Sequence, residues 1–214
     1  MGEAVKRGYR SQLRAAQAME TRRRIVAAAA GLFVSAGYAG TSVDAIAEAA
    51  GVSRKTVFTA VGGKADLLAA ALDRAIAGDD APVALAERPE MIALLAAAEP
   101  AELLAGWARV ITDIDARVGA LFAALETAAT VDDGARVLWD QLHAQRRAGA
   151  RAVVDAVAAL GGLREGLTRS AATDLACLFS DPAMHRHLVG GHGWTGRRFA
   201  GWLGELLSHQ LLPA

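Results

Sequence analysis

Cysteine is nearly absent: Cys177 stands alone among 214 residues. One thiol cannot close an internal disulfide or build a cysteine-ligated zinc site, which suits a reducing compartment. The alternating β-branched runs that mark strands are missing, and aromatic residues make up only 5% of the chain. No apolar run approaches the roughly 20 uncharged residues that span a bilayer, and no basic-then-apolar stretch reads as a secretion signal. Lys6 stands where myristoylation wants Ser or Thr. The expectation is a soluble, cytoplasmic protein with no membrane partner. Lysine is scarce too: Lys6, Lys55 and Lys64 stand against twenty arginines.

Net charge is also absent, yet the zero conceals a polarity. Residues 1–64 carry ten basic against four acidic side chains, and residues 65–214 carry thirteen against nineteen. A basic head on an acidic body suits a protein of which one end meets a polyanion.

What the chain has in abundance is Leu, Ala, Val and Ile at helical spacing, so the fold class is all-α. Residues 1–20 are polar and basic, without a stable apolar stripe, and read as an arm that can extend the first helix. From Thr21, Ile25, Ala29, Leu32 and Phe33 share a face, and Gly37 offers a left-handed stop after about four turns. Thr41 or Ser42 can cap a short second helix, with Asp44 completing a capping box with Thr41. Ser53 can cap a third, running to about Val61, and a fourth runs from about Lys64 to Ala77. Pro82, Pro89 and Pro100 punctuate a looser connection. The body then reads as helices over about 100–117, 119–129, 133–160, 168–179 and 195–212, with a short one restarted at Asp181-Pro182. The division into domains is therefore an arm over 1–20, a head over 21–64 and a body over 65–214.

Residues 41–64 carry the most specific pattern. Ala47 supplies the small residue that two steeply crossing helices need, and Gly51, four positions on, supplies a positive-φ turn. Ile46, Val52 and Val57 form the seam between them. Arg54, Lys55, Thr56 and Thr59 are left on the outward face of the third helix, able to reach base edges and phosphates in a major groove. Lys64 opens the next helix, where its charge and the free amides beside it can hold a phosphate.

The segment from about Thr21 to Leu68 resembles the DNA-binding head of the TetR family of bacterial repressors. Gly37-Tyr38, Thr41, Ile46-Ala47, Gly51-Val52-Ser53, Thr56-Val57-Phe58 and Lys64 to Leu68 carry the resemblance. It implies an all-helical homodimer, with a helix-turn-helix head binding near-palindromic double-stranded operator DNA and a helical body binding a small, apolar effector. DNA contacts are implied at Thr41, Ser42, Ser53, Arg54, Lys55, Thr56, Phe58, Thr59 and Lys64. Phe58 departs from the tyrosine usual in the family, and its ring is expected to pack the head. Val61 stands where an aromatic is common.

The body resembles the family only in plan. In the last helix Phe199, Trp202, Leu203, Leu206, Leu207 and Leu211 form an apolar stripe, beside a strip of small residues, Ala200, Gly204 and Ser208. Such a helix can pack on its own body and on a neighbour. The resemblance implies that 168–179 and 195–211 dimerise as a four-helix bundle, through Leu175, Phe199, Trp202, Leu203, Leu206 and Leu207. Trp107, Ile111, Phe122, Trp139 and His143 are the candidates for an effector pocket.

Enzyme signals fail. Gly191-x-Gly193-x-x-Gly196 spells a dinucleotide fingerprint with no strand before it, so it reads as an interhelical loop. His185, His187 and His192 lack a thiol or a well-spaced acid, and Asp113 and Asp115 read as solvated charges. No cofactor, no metal and no catalysis is expected. The rival to the regulator reading is a helical small-molecule-binding or enzymatic protein that keeps the head for structure alone.

Overall fold

The structure, a computed structural model, describes residues 2–79, 83 and 85–213, with side chains from residue 13 onward. Pro82 lies outside the described residues. The elements are α1 (Gly2–Gly40), α2 (Val43–Ala50), α3 (Arg54–Ala60), α4 (Lys64–Ala77), α5 (Pro89–Leu95), α6 (Pro100–Ala128), α7 (Asp133–Ala159), α8 (Arg169–Phe179), α9 (Pro182–His185) and α10 (Gly196–Leu211). A 3₁₀ turn at Leu85–Glu87 precedes α5, and a π-helical turn at Arg186–Gly191 follows α9. No strand occurs among the described residues.

Hydroxyl and carboxylate caps explain most helix starts. Ser42 accepts from the Ala45 amide, Ser53 from Thr56, Asp132 from Ala135, Thr168 from Ala171 and Thr195 from Arg198. Each satisfies one of the amides that a helix N-terminus leaves without an intrahelical partner. Asp181 caps α9 through the Ala183 amide, with Pro182 in the first turn.

Two expectations need correction. The first helix runs back through the arm to Gly2, as the sequence allowed. At its other end Gly37 is not a left-handed stop but a kink, at φ 70° and ψ 173°, a conformation that glycine alone adopts without a Cβ penalty. The helices expected at 100–117 and 119–129 are one, α6, which passes straight through Gly119. An interior glycine costs a helix only ~1 kcal/mol, and the apolar face it interrupts, from Leu103 to Ala128, is buried on both sides of it.

The core has two parts. One joins Ile25, Phe33, Ile46, Val57, Leu67 and Leu72 of α1–α4 to Val118, Leu121 and Leu125 of α6. The other joins Leu103, Leu104 and Trp107 of α6 to Val153, Val154 and Val157 of α7, and to α8 and α10. The head therefore shares buried apolar surface with the body, and α4 and α6 pack against each other.

Candidate functional site

In the head, α2 and α3 cross around the expected seam: Ile46 and Val57 are fully buried and Ala47 nearly so. Gly51 turns the chain at φ 64°, ψ 40°, and the Val52 amide closes the turn onto the Ala47 carbonyl at 2.9 Å. Two arginines absent from the sequence expectations brace this unit. The Arg22 guanidinium donates to the Ala60 carbonyl at 2.7 Å, and Arg24 donates to the carbonyls of Ala50 and Gly51. Both sit at helix C-termini, where the macrodipole favours a cation. Their signal was a run of three arginines, Arg22 to Arg24, beside the buried stripe.

The nine expected DNA-contact residues do not share one environment. Ser42, Ser53, Arg54, Lys55, Phe58 and Thr59 are exposed, Thr56 and Lys64 are partly buried, and Thr41 is buried at 2% exposure. The Thr41 hydroxyl donates to the Gly37 carbonyl at 2.8 Å, which makes it a clasp for the kink rather than an outward group. Ser42 alone caps α2. Phe58 does not pack the head as expected: 47% of its surface is exposed, with the Arg54 guanidinium 5.5 Å from its ring centroid. Phe58 follows the fully buried Val57 by about 100° around α3, which carries its ring away from the seam. Arg54 also pairs with the Asp44 carboxylate on α2. The Thr56 hydroxyl lies 2.8 Å from that of Ser53, and the Thr59 hydroxyl donates to the Lys55 carbonyl at 2.6 Å. Lys64 holds its ammonium 4.2 Å from the centroid of the Tyr38 ring, which stacks on Phe33.

In the body a cavity of about 470 Å³ opens between α4, α5, α6, α7 and α9. Trp107, Ile111 and Phe122, three of the five expected residues, line it. Trp139 and His143 do not line it but form an aromatic cluster with Phe122, at centroid distances of 5.3 and 5.8 Å. Ile76, near the end of α4, reaches the same cavity. Arg117 on α6 clasps that end, donating to the Ala75 carbonyl at 2.8 Å and the Ile76 carbonyl at 3.1 Å.

Asp115 contradicts the expectation of a solvated charge. It lines the cavity at 3% exposure, and one carboxylate oxygen has no hydrogen-bond partner. Burial pushes its carboxyl up to about 8, with Arg146 opposing and Asp181 adding to the rise. Asp113, two residues away on the helix, is exposed. The signal was present, because Asp115 stands four residues after Ile111 and three before Val118, within the apolar stripe. Burial also holds the His143 and His185 imidazoles below their usual range.

At the other end, α8 and α10 pack beside each other. Of the residues expected at a subunit interface, Phe199, Leu203 and Leu207 are fully buried within the chain and have no surface to offer. They face α6 because the small strip of α10 faces α6 as well: a Cβ built on Gly204 would come within 3.3 Å of the Ala105 Cα. Leu175, Trp202 and Leu206 remain partly exposed, joined by Leu178 at 60% exposure. His185 turns inward against Phe199, away from the exposed His187–His192 pair. No group of three or more metal-ligating side chains occurs among the described residues.

Residues 25–71, the helix-turn-helix and most of its bracing, match the sequence profile of the bacterial regulatory proteins of the tetR family. The head is that of the TetR family. No functionally curated protein matches the sequence. Solved structures with the same fold include NalD of Pseudomonas aeruginosa, the secondary repressor of the MexAB-OprM multidrug efflux pump. That match has 17% identity and a TM-score of 0.67, covering 92% of this chain and 98% of the other. FadR of Bacillus subtilis, solved with stearoyl-CoA, matches at 17% identity and TM-score 0.65, over 87% and 97% of the two chains. A Saccharomonospora viridis protein described as a transcriptional regulator, solved with choline, matches at 19% and 0.68, over 92% and 100%. The fold shared with these structures runs from the head through the helical body. No described helix is long and apolar enough to cross a membrane.

Proposed function

We propose that the protein is a ligand-responsive, TetR-type transcriptional regulator that binds a near-palindromic operator as a homodimer and is released by a small molecule held in the body. The observation that carries this reading is the path from α3 to the cavity. Arg54, Lys55 and Thr59 face outward on a helix whose inner side is locked, and α4 runs from Lys64, beside that helix, to Ile76 on the cavity wall. A ligand that displaces Ile76 pushes on the end of α4, and Arg117 couples that end to α6. Such a push has an effect only through a difference in affinity between two arrangements of the heads. In a dimer, the two third helices must lie about 34 Å apart to enter successive major grooves.

Lys55 and Lys64 supply phosphate contacts in this reading, while Arg54 reads a base edge once it leaves or shares Asp44. The ligands of the solved neighbours, choline in one and stearoyl-CoA in another, differ too much in chemistry to select one for this chain.

The test is electrophoresis of the purified protein with the DNA upstream of its own coding sequence, against a scrambled duplex. Retardation of the first at concentrations that leave the second free is the expected result. Lys55→Ala should then make log affinity fall less steeply with log salt, by about one unit of slope. Equal binding to both duplexes at every salt concentration would reduce the head to a structural remnant.

A further inference from the structure

The cavity is lined mostly by apolar side chains, with Asp115, Gln145, Arg146 and Ser180 as its polar members. Ile76 of α4, Met91 and Leu95 of α5, and Trp107, Ile111 and Phe122 of α6 supply its hydrocarbon and aromatic walls. Asp115 breaks this lining with a carboxylate at 3% exposure, of which Oδ2 accepts from nothing. A buried acceptor without a donor costs free energy that a cavity built only for hydrocarbon has no reason to carry.

The cavity also contains Arg146, whose guanidinium could have answered Asp115 or an acidic ligand. Both of its terminal nitrogens are engaged: one meets the Asp181 carboxylate at 3.1 Å, and the other meets the Ser180 carbonyl at 2.9 Å. Its face lies 5.7 Å from the Phe122 ring centroid. Arg146 and Asp181 thus answer each other, and when Asp115 ionises, its carboxylate is the charge left without a partner.

Resting on the reading of this cavity as the effector site, we infer that the effector is an apolar molecule bearing one ammonium centre, which Asp115 receives. Trp107 and Phe122 present aromatic surface in the same cavity, and an ammonium is attracted to such faces as well as to a carboxylate. A volume of about 470 Å³ falls within the range that holds a drug-sized organic molecule.

The groups that act on the Asp115 charge are Arg146 on α7 and Asp181 at the start of α9. The histidines of those elements, His143 and His185, are held below their usual titration range by burial, so both are uncharged at neutral pH and above. α4 and α5 contribute only apolar side chains to the cavity. Without ligand the Asp115 carboxyl keeps its proton until about pH 8. A permanent cation binds its ionised form, so cation binding expels that proton and tightens as pH rises towards 8.

The experiment is calorimetric titration of the full chain with three probes of equal tail length: decyltrimethylammonium, decanoate and decanol. The cation should bind at least about tenfold more tightly than the alcohol at pH 8, and at pH 7 its binding should release close to one proton, measured in buffers of different ionisation enthalpy. Its affinity should rise about tenfold from pH 6 to pH 7 and about fivefold more from pH 7 to pH 8, while that of decanol stays level. Asp115→Asn should remove both the pH dependence and the preference for the cation, while keeping decanol binding. The pH series needs no variant and so does not depend on how Asp115→Asn folds. Decanoate binding more tightly than the cation, or decanol equalling it at every pH, would overturn the assignment of ligand class while leaving the cavity an effector site. Failure of all three probes both to bind and to release operator DNA would overturn the effector-site reading as well.

Discussion

Asp115 shows at the scale of one residue how the helix period and the third dimension combine. In sequence it is one of two acids separated by a single residue, and the pair reads as ordinary surface charge. On the helix the two diverge by more than a right angle, so Asp113 meets solvent and Asp115 meets the cavity. The cost of that placement depends on pH. In the unfolded chain the group titrates near its ordinary value of 3.8, and in the fold burial moves it to about 8, so the native state holds the extra proton between those values. Stability from this group is therefore present below about pH 4 and lost as pH rises through about 8, at up to ~1.4 kcal/mol per pH unit. Asp115→Asn should unfold at a higher temperature than the parent protein at pH 8, and the gap should narrow steadily towards pH 5. Thermal denaturation across that range measures it, and a gap that does not change with pH would mean that Asp115 is not held protonated. Arg54 teaches a related lesson, because its ion pair with Asp44 joins residues ten apart that belong to different helices.

Among the elements, α6 is the longest helix after α1, and the glycines at its middle and on the helix packed against it, α10, differ in kind. Gly119 is buried, yet a Cβ placed on it meets nothing within 4 Å. Gly119→Ala should therefore stabilise the protein by about 0.5–1 kcal/mol, from helix propensity and reduced freedom of the unfolded chain. Gly204 on α10 is the contrast, because a Cβ there would lie 3.3 Å from the Ala105 Cα on α6. Gly204→Ala should push α10 off α6 and cost about 1–3 kcal/mol. Opposite signs in chemical denaturation of the two variants would confirm that α10 uses its small-residue strip within the chain. Equal and mild effects would leave that strip free for another surface. Sequence periodicity found both helices, and glycine at position 119 was read as a break because a gap in a pattern does not reveal whether neighbouring helices hold it together.

For the whole molecule, the question is which apolar surface remains once the chain has folded on itself. The stripe on α10 divides: Phe199, Leu203 and Leu207 are buried in the core shared with α6, while Trp202 and Leu206 stay partly exposed, as do Leu175 and, more fully, Leu178 of α8. If two copies meet through α8 and α10, Leu178→Glu with Leu206→Glu should yield a folded monomer. The loss of two apolar contacts of about 1.5–3 kcal/mol each raises the dissociation constant by at least about a hundredfold. Leu203→Glu should instead unfold the chain, since it buries an unpaired charge. Sedimentation velocity and circular dichroism together separate the two outcomes. An intact dimer in the double variant would move the interface elsewhere.

The sequence by itself determined the helical class, the cap at Ser53, the turn at Gly51 and the outward face of α3. All of these depend on neighbours within a few residues, where hydrogen bonds and helical period act locally. Only the tertiary structure decided that Thr41 is buried, that Arg22 and Arg24 tie α1 to the ends of α2 and α3, that Asp115 enters a cavity, and that half of the α10 stripe belongs to the chain's own core. Each of those outcomes depends on a helix distant in sequence. An apolar or charged face declares that it will be covered or solvated, but not by what, because burial is a property of the packed neighbours and not of the stripe itself.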